Sequence, residues 1–263
     1  VKEGDKLILG EHILNFIMAP MVHWPEVMMT YEQKEKILFS ADGFGKFGTL
    51  DTDEEWDCEA RRYYFGIVGK YGLQVQSVLK KARNLDIRMI CPLHGPILRD
   101  KLSHYIEKYD IWSSYKSESE GIFIACCSIH GNTMQVAEKL KEILEEKGIK
   151  KGVLSDLARE DWAECIEDAF RYPNLILLAP TYNMEVFTPM RNFLNNLKER
   201  NYQNKKVAII ENGTWAPNSA KCMKELLDTM KNIEIVKPII TIKSTMKESN
   251  ILELENLANN FLD

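Results

Sequence analysis

From residue 121 onward, two hydrophobic spacings alternate along the chain. Short apolar runs at 122–127, near 151–155, and at 174–179, 206–211 and 234–242 read as buried strands. After each comes a stretch with apolar residues three and four apart, at 133–147, 161–170, 188–200, 218–230 and 248–262. Five strand–helix pairs predict an α/β fold, a doubly wound, five-stranded parallel sheet covered on both faces. Ligands of such sheets lie beyond the carboxyl ends of the strands, where the strand order reverses.

The pattern before residue 116 is different. Lys6–Gly10, His12–Met18 and Ile37–Ser40 read as short strands broken by Gly10 and Pro20. From Asp51 to about Asn84 the spacing turns helical, through Trp56, Ala60, Tyr63, Tyr64, Ile67 and Val68, then Val75, Val78, Leu79 and Ala82. A strand at Ile87–Cys91 runs into Pro92-Leu93-His94-Gly95-Pro96, and one more helix reaches about Tyr115. Strands first and helices after suggest half of a layered α/β sandwich. The polar stretch 116–120 lacks any periodicity and is the expected linker between a first domain, 1–115, and a second, 121–263.

Composition narrows the class. The chain has 263 residues, 45% of them hydrophobic and 28% charged, as in a water-soluble globular protein with room for two cores. A net charge of −5 argues against nucleic acid as the partner. Six scattered cysteines without a CxxC pair point to reduced thiols and a cytoplasmic location. No apolar run approaches the ~18 residues of a membrane span, and no signal peptide is visible. The first residue is Val rather than Met, which leads us to expect a chain that begins partway through a longer polypeptide.

Candidate chemistry falls at the strand ends. Ser128-Ile129-His130-Gly131-Asn132-Thr133 lies between the first strand of the second domain and its helix. The helix's first amides lack intrahelical partners and favour an anion. With no Lys or Arg in the loop, a phosphate would rest on N–H groups and on the hydroxyls of Ser128 and Thr133. The plainer alternative is a strand–helix turn with Thr133 as its cap. After the third strand come Pro180, Thr181, Tyr182, Asn183 and Met184; after the fourth come Asn212, Gly213, Thr214, Trp215 and Ala216. Aromatics beside a phosphate cradle suit a ligand with a phosphate tail and a flat ring, although Tyr182 and Trp215 could each simply plug the core. In the first domain His23, Asp42 and His94 each follow a strand, among Pro and Gly residues. Together they are plausible ligands for iron or zinc; singly, each reads as a turn residue.

These segments carry a resemblance. Ser128, Gly131, Asn132 and Thr133 match the Thr/Ser-x-x-Gly-Asn-Thr phosphate loop of flavodoxin. Pro20-Met21-Val22-His23-Trp24-Pro25-Glu26, Leu38-Phe39-Ser40-Ala41-Asp42 and Pro92-Leu93-His94-Gly95-Pro96-Ile97 look like the metallo-β-lactamase-like αββα sandwich of flavodiiron proteins. Those proteins join that sandwich to a C-terminal flavodoxin-like domain. The resemblance implies FMN, with its phosphate on Ser128–Thr133 and its ring bordered by Pro180–Asn183 and Asn212–Ala216. It also implies His23, Asp42 and His94 as metal ligands, Asp42 in the bridging position. Electrons would come from rubredoxin or an NADH-linked reductase, and a diiron centre would reduce O₂ to water or NO to N₂O. A head-to-tail homodimer would bring the flavin of one subunit to the metal site of the other. The family's His-x-Glu-x-Asp-His cluster, which supplies four more ligands, has no counterpart here, so iron at these residues is conditional on ligands from elsewhere. A longer protein, a separate N-terminal fragment or a natural truncation would each account for this. Weighed against that reading are a flavodoxin-like electron carrier with a docking or dimerisation module, a metal-dependent hydrolase and a phosphoacceptor domain.

Overall fold

A computed structural model of the chain describes residues 1–51, 55–149 and 151–262. The start of the helical pattern expected from Asp51 falls partly on 52–54, outside the described residues. The chain divides into two compact units, Val1–Lys116 and Ser117–Asp263.

The first unit is built on a sheet of β1 (Lys6–Leu9), β2 (His12–Met18), β3 (Met28–Glu32), β4 (Ile37–Phe39) and β5 (Met89–Cys91), in that order. The first four are antiparallel, and β5 joins β4 in parallel through Leu38↔Ile90. Ile17, Met29, Tyr31, Leu38 and Ile90 share one buried face. In the same unit lie α1 (Trp56–Tyr63), a π-helical turn at Tyr64–Val68, α2 (Gly72–Ala82) and α3 (Leu102–Ser113). They bury Tyr64, Phe65, Tyr109 and Trp112, whose rings meet at 5.1 to 6.4 Å. The opposite sheet face carries Leu14, Phe16, Met18, Met28, Phe39 and Met89, none of them buried. This second face is only partly covered.

In the second unit β6 (Ile122–Cys126), β7 (Gly152–Asp156), β8 (Asn174–Tyr182) and β10 (Gln203–Asn212) run parallel in the order β7-β6-β8-β10. The expected fifth strand is two short ones, β11 (Lys231–Ile235) and β12 (Ile240–Ile242), which pair in succession with β10. Pro238 lies between them and has no N–H for the ladder. A further short strand, β9 (Glu185–Val186), folds back on β8 as a hairpin. Helices α4 (Asn132–Glu146) and α8 (Glu248–Ala258) cover one face, where Val136, Leu140, Leu144, Leu254 and Leu257 meet Ile124, Ile176 and Ile210. The remaining helices are α5 (Trp162–Arg171), α6 (Thr188–Glu199) and α7 (Ser219–Leu227), packed in succession, α5 against α6 and α6 against α7.

The segment expected as a linker is held to the second unit at its near end. Glu118 and Ser119 donate their N–H groups to Arg171 O. Lys205, on β10, donates from Nζ to Ser117 Oγ at 2.9 Å and to the carbonyls of Phe170 and Tyr172, each at 2.7 Å. Burial draws the pKa of this amine down to about 7. Replacing Lys205 by Met removes these three hydrogen bonds, a loss of about 2–4 kcal/mol in urea unfolding at pH 7. The sign of the pH effect is fixed too. Between about 7 and the unfolded lysine value near ~10.4, the folded chain holds fewer protons than the unfolded one. Wild-type stability relative to Lys205→Met therefore rises with pH across that window and is flat below it.

Candidate functional site

In the second unit the chain passes from β6 outward to β7, then crosses back to β8 on the other side of β6. The connections leave β6 and β8 in opposite directions, which opens a crevice at their carboxyl ends. All five residues of β6 are buried, so its position is fixed by packing on both faces. Burial pushes the Cys127 thiol up to about 12 and that of Cys126 higher still, so neither is a nucleophile near neutrality.

The loop after β6 turns sharply into α4. Ser128 is buried, and its Oγ accepts the Gly131 N–H at 3.0 Å, closing the turn. Gly131 takes φ +92°, a left-handed conformation that side chains disfavour, and nothing lies within 4 Å of where its Cβ would be. The first helical hydrogen bond runs from Gln135 N–H to Gly131 O. The amides of Asn132, Thr133 and Met134 precede it, at the positive end of a 15-residue helix. Thr133 is buried, whereas Ile129 and His130 are exposed at the loop's outer edge.

The start of α7 is a useful contrast. Thr181 Oγ1 accepts the N–H groups of Asn218 at 2.8 Å and Ser219 at 3.1 Å, and Glu211 Oε2 accepts that of Ala220 at 3.0 Å. Its first amides are spoken for within the chain, while those of α4 face an open turn. Of these two helix starts, that of α4 is the one left open to an anion.

Thr181, Asn183, Gly213, Thr214, Trp215 and Ala216 surround a cavity of about 240 Å³ together with Met184, which pattern reasoning did not single out as a site residue. None of Ser128, Ile129, His130, Gly131, Asn132 or Thr133 lines it, so anion turn and cavity are separate features. Trp215 is 83% exposed and Tyr182 51%, which rules out the core-plug alternative for both. Three of the expected ring-side residues lie outside the cavity. The Tyr182 ring packs edge-on against Phe187 at 5.6 Å. The Asn212 side chain is committed to Ser244, donating to its carbonyl and accepting its N–H. Pro180 accepts Phe187 N–H through its carbonyl and serves the hairpin base.

In the first unit three loops converge. His23 follows β2, Asp42 follows β4 and His94 follows β5. Gly95, at φ +88°, lets the last loop pass close over the Lys46 backbone, where a Cβ would meet Lys46 N at 3.2 Å. His23 Nε2 lies 3.4 Å from Asp42 Oδ2, and His94 Nε2 lies 3.3 Å from Asp42 Oδ1. His23 and His94 open on a cleft of about 500 Å³ that also includes Lys46 and Tyr63. Burial, and then the nearby Asp42 carboxylate, raise the Tyr63 phenol's pKa, so it keeps its proton. Each imidazole faces a different oxygen of one carboxylate, which provides two nitrogen–oxygen pairs rather than one three-donor site. Among the described residues no group of three or more His, Cys, Asp or Glu is arranged to hold a metal ion. Two donors per position fall short of a coordination sphere, so this set alone does not fit a metal pair.

Comparison with known proteins agrees with both units. Residues 1–95 match a family described as the ODP family beta lactamase. A nitric oxide reductase of Moorella thermoacetica is 27% identical, over 92% of this chain and 63% of its own length. The fold of the whole chain matches 67% of a rubredoxin oxygen:oxidoreductase from Desulfovibrio gigas with a TM-score of 0.91 at 23% identity. It also matches 67% of a variant flavo di-iron protein from Thermotoga maritima, with a TM-score of 0.84 at 26% identity. The chain spans 65% and 47% of the length of two further curated relatives, one from Methanocaldococcus jannaschii and one from Aeromonas salmonicida. A metallo-β-lactamase-like layer followed by a flavodoxin-like sheet, with similar proteins along nearly its full length, makes this chain similar in fold and sequence to flavodiiron proteins.

Proposed function

We propose that the chain binds FMN at the carboxyl end of the β6–β8 crevice and passes electrons as part of a flavodiiron oxidoreductase. The observation that carries this is the turn at Ser128–Thr133, with a left-handed Gly131, an open space beside it and unclaimed helix amides behind it. Such a turn fits a phosphate monoester. The residues that would hold FMN are Ser128 to Thr133 on the phosphate, and Asn183, Met184, Gly213, Thr214, Trp215 and Ala216 beside the ring. FMN would supply one- and two-electron transfer between separate donors and acceptors. The chain's part is to neutralise a phosphate with dipoles instead of lysines, to offer Trp215 as an aromatic surface and to surround the ring edge with backbone amides.

Relatives named nitric oxide reductase and rubredoxin oxygen:oxidoreductase support a setting in which O₂ is reduced to water or NO to N₂O. The latter name supports rubredoxin as a donor, with an NADH-linked reductase as the other class; a head-to-tail homodimer belongs to the same proposal. His23, Asp42 and His94 are proposed as part of the family's ligand set, short of a complete one. A second reading rests on that shortfall: a flavodoxin-like electron carrier whose first unit serves docking or dimerisation. Catalytic consumption of O₂ or NO separates the two. Among the described residues no helix is long and apolar enough to cross a membrane, which suits a cytoplasmic protein but does not require one.

Two outcomes follow. FMN added to the purified chain should produce bound-flavin absorption, and Gly131→Val should weaken FMN at least 30-fold while changing riboflavin less than about threefold, since only FMN has the phosphate. Equal losses for both ligands would place the phosphate elsewhere. Iron analysis after reconstitution should give fewer than two irons per chain, and a full pair would show that His23, Asp42 and His94 have partners among the remaining residues.

A further inference from the structure

Asn218 occupies the cap position of α7, for which Asn is among the most favoured residues, yet its side chain makes no capping hydrogen bond. The capping is done by others: Thr181 Oγ1 accepts from Asn218 and Ser219, and Glu211 accepts from Ala220. Released from that task, Asn218 Nδ2 reaches across to Met184 O at 2.7 Å.

Met184 is the second residue of the two-residue turn between β8 and β9, where Thr181 pairs with Val186 and Tyr182 with Glu185. Asn183 has φ +54° and Met184 φ +62°, as in the tight hairpin turns whose second position favours Gly. A long side chain is strained there and persists only where neighbours fix the turn. Met184 and Asn183 form one side of the 240 Å³ cavity, and Gly213 to Ala216 the other. Asn218 directly follows that second loop and Pro217. Its amide thus ties one side of the cavity to the other.

We propose that Asn218 is a positioning residue that clamps the Asn183-Met184 turn as a wall of the flavin-ring pocket. The inference rests on the FMN reading above. Sequence alone hides it, because an Asn before a helix reads as an ordinary cap.

Asn218→Asp separates clamp from cap. It keeps the size and the capping oxygen, and its charge suits a helix N-terminus, but it has no donor for Met184 O. In the flavin-free chain, amide exchange in the 181–187 segment should quicken at least fivefold. FMN and riboflavin affinities should both fall about tenfold with their ratio unchanged, as expected for one lost hydrogen bond on the ring side. The absorption bands of the bound flavin should shift as well. In a Met184→Gly background, where Gly holds the turn unaided, the same substitution should lower affinity no more than twofold. Unchanged exchange and affinity in Asn218→Asp would overturn the proposal. Equal losses in both backgrounds would also overturn it, by reducing Asn218 to a general support of α7. A wild-type chain that takes up no FMN would overturn the flavin reading itself, and the exchange data would still judge the clamp.

Discussion

The parallel pairing of β6 between β7 and β8 is the constraint on which the second unit depends. Ile122↔Gly152 and Ile122↔Asn174 fix its register on both sides, and its five buried residues permit no slip without turning apolar side chains out of the core. That register sets where the strand ends and therefore where Ser128 turns the chain into α4. It also brings the ends of β6 and β8 together at the point of reversal. The anion turn is thus a product of sheet packing.

Hydrogen bonding then separates two helix termini that look alike from a distance. Thr181 and Glu211 satisfy the start of α7, and Glu211 is itself held by Thr241 Oγ1 at 2.9 Å. The start of α4 has only Ser128 Oγ closing the turn before it. One end of the sheet therefore contains a sealed terminus that braces a cavity and an open one that fits an anion. In the first unit Asp42 has the corresponding central place, with one imidazole on each oxygen.

Much of this was legible in the chain. The strand–helix alternation after residue 121 and the Ser128–Thr133 turn follow from spacing, because β6 and α4 carry uninterrupted apolar signals. Other features depended on contacts that spacing does not encode. β3 has Thr30 and Glu32 among its five residues, and its pairing with β2 and β4 makes it a strand. The β8–β9 hairpin turns on Asn183-Met184, which lacks the Gly that usually marks such a turn. Asn212 and Tyr182 occupy the expected loops, yet Ser244 and Phe187 claim their side chains. Residue type and position placed these loops together; which side chain faces the ligand was decided by competing partners.

A crystal structure of the chain soaked with FMN would show directly where the flavin phosphate sits. The phosphate should lie within hydrogen-bond reach of the amides at the start of α4 and of the Ser128 and Thr133 hydroxyls, with the ring beside Trp215 and Met184. A phosphate held by lysine or arginine side chains elsewhere, with the α4 turn still open, would contradict it.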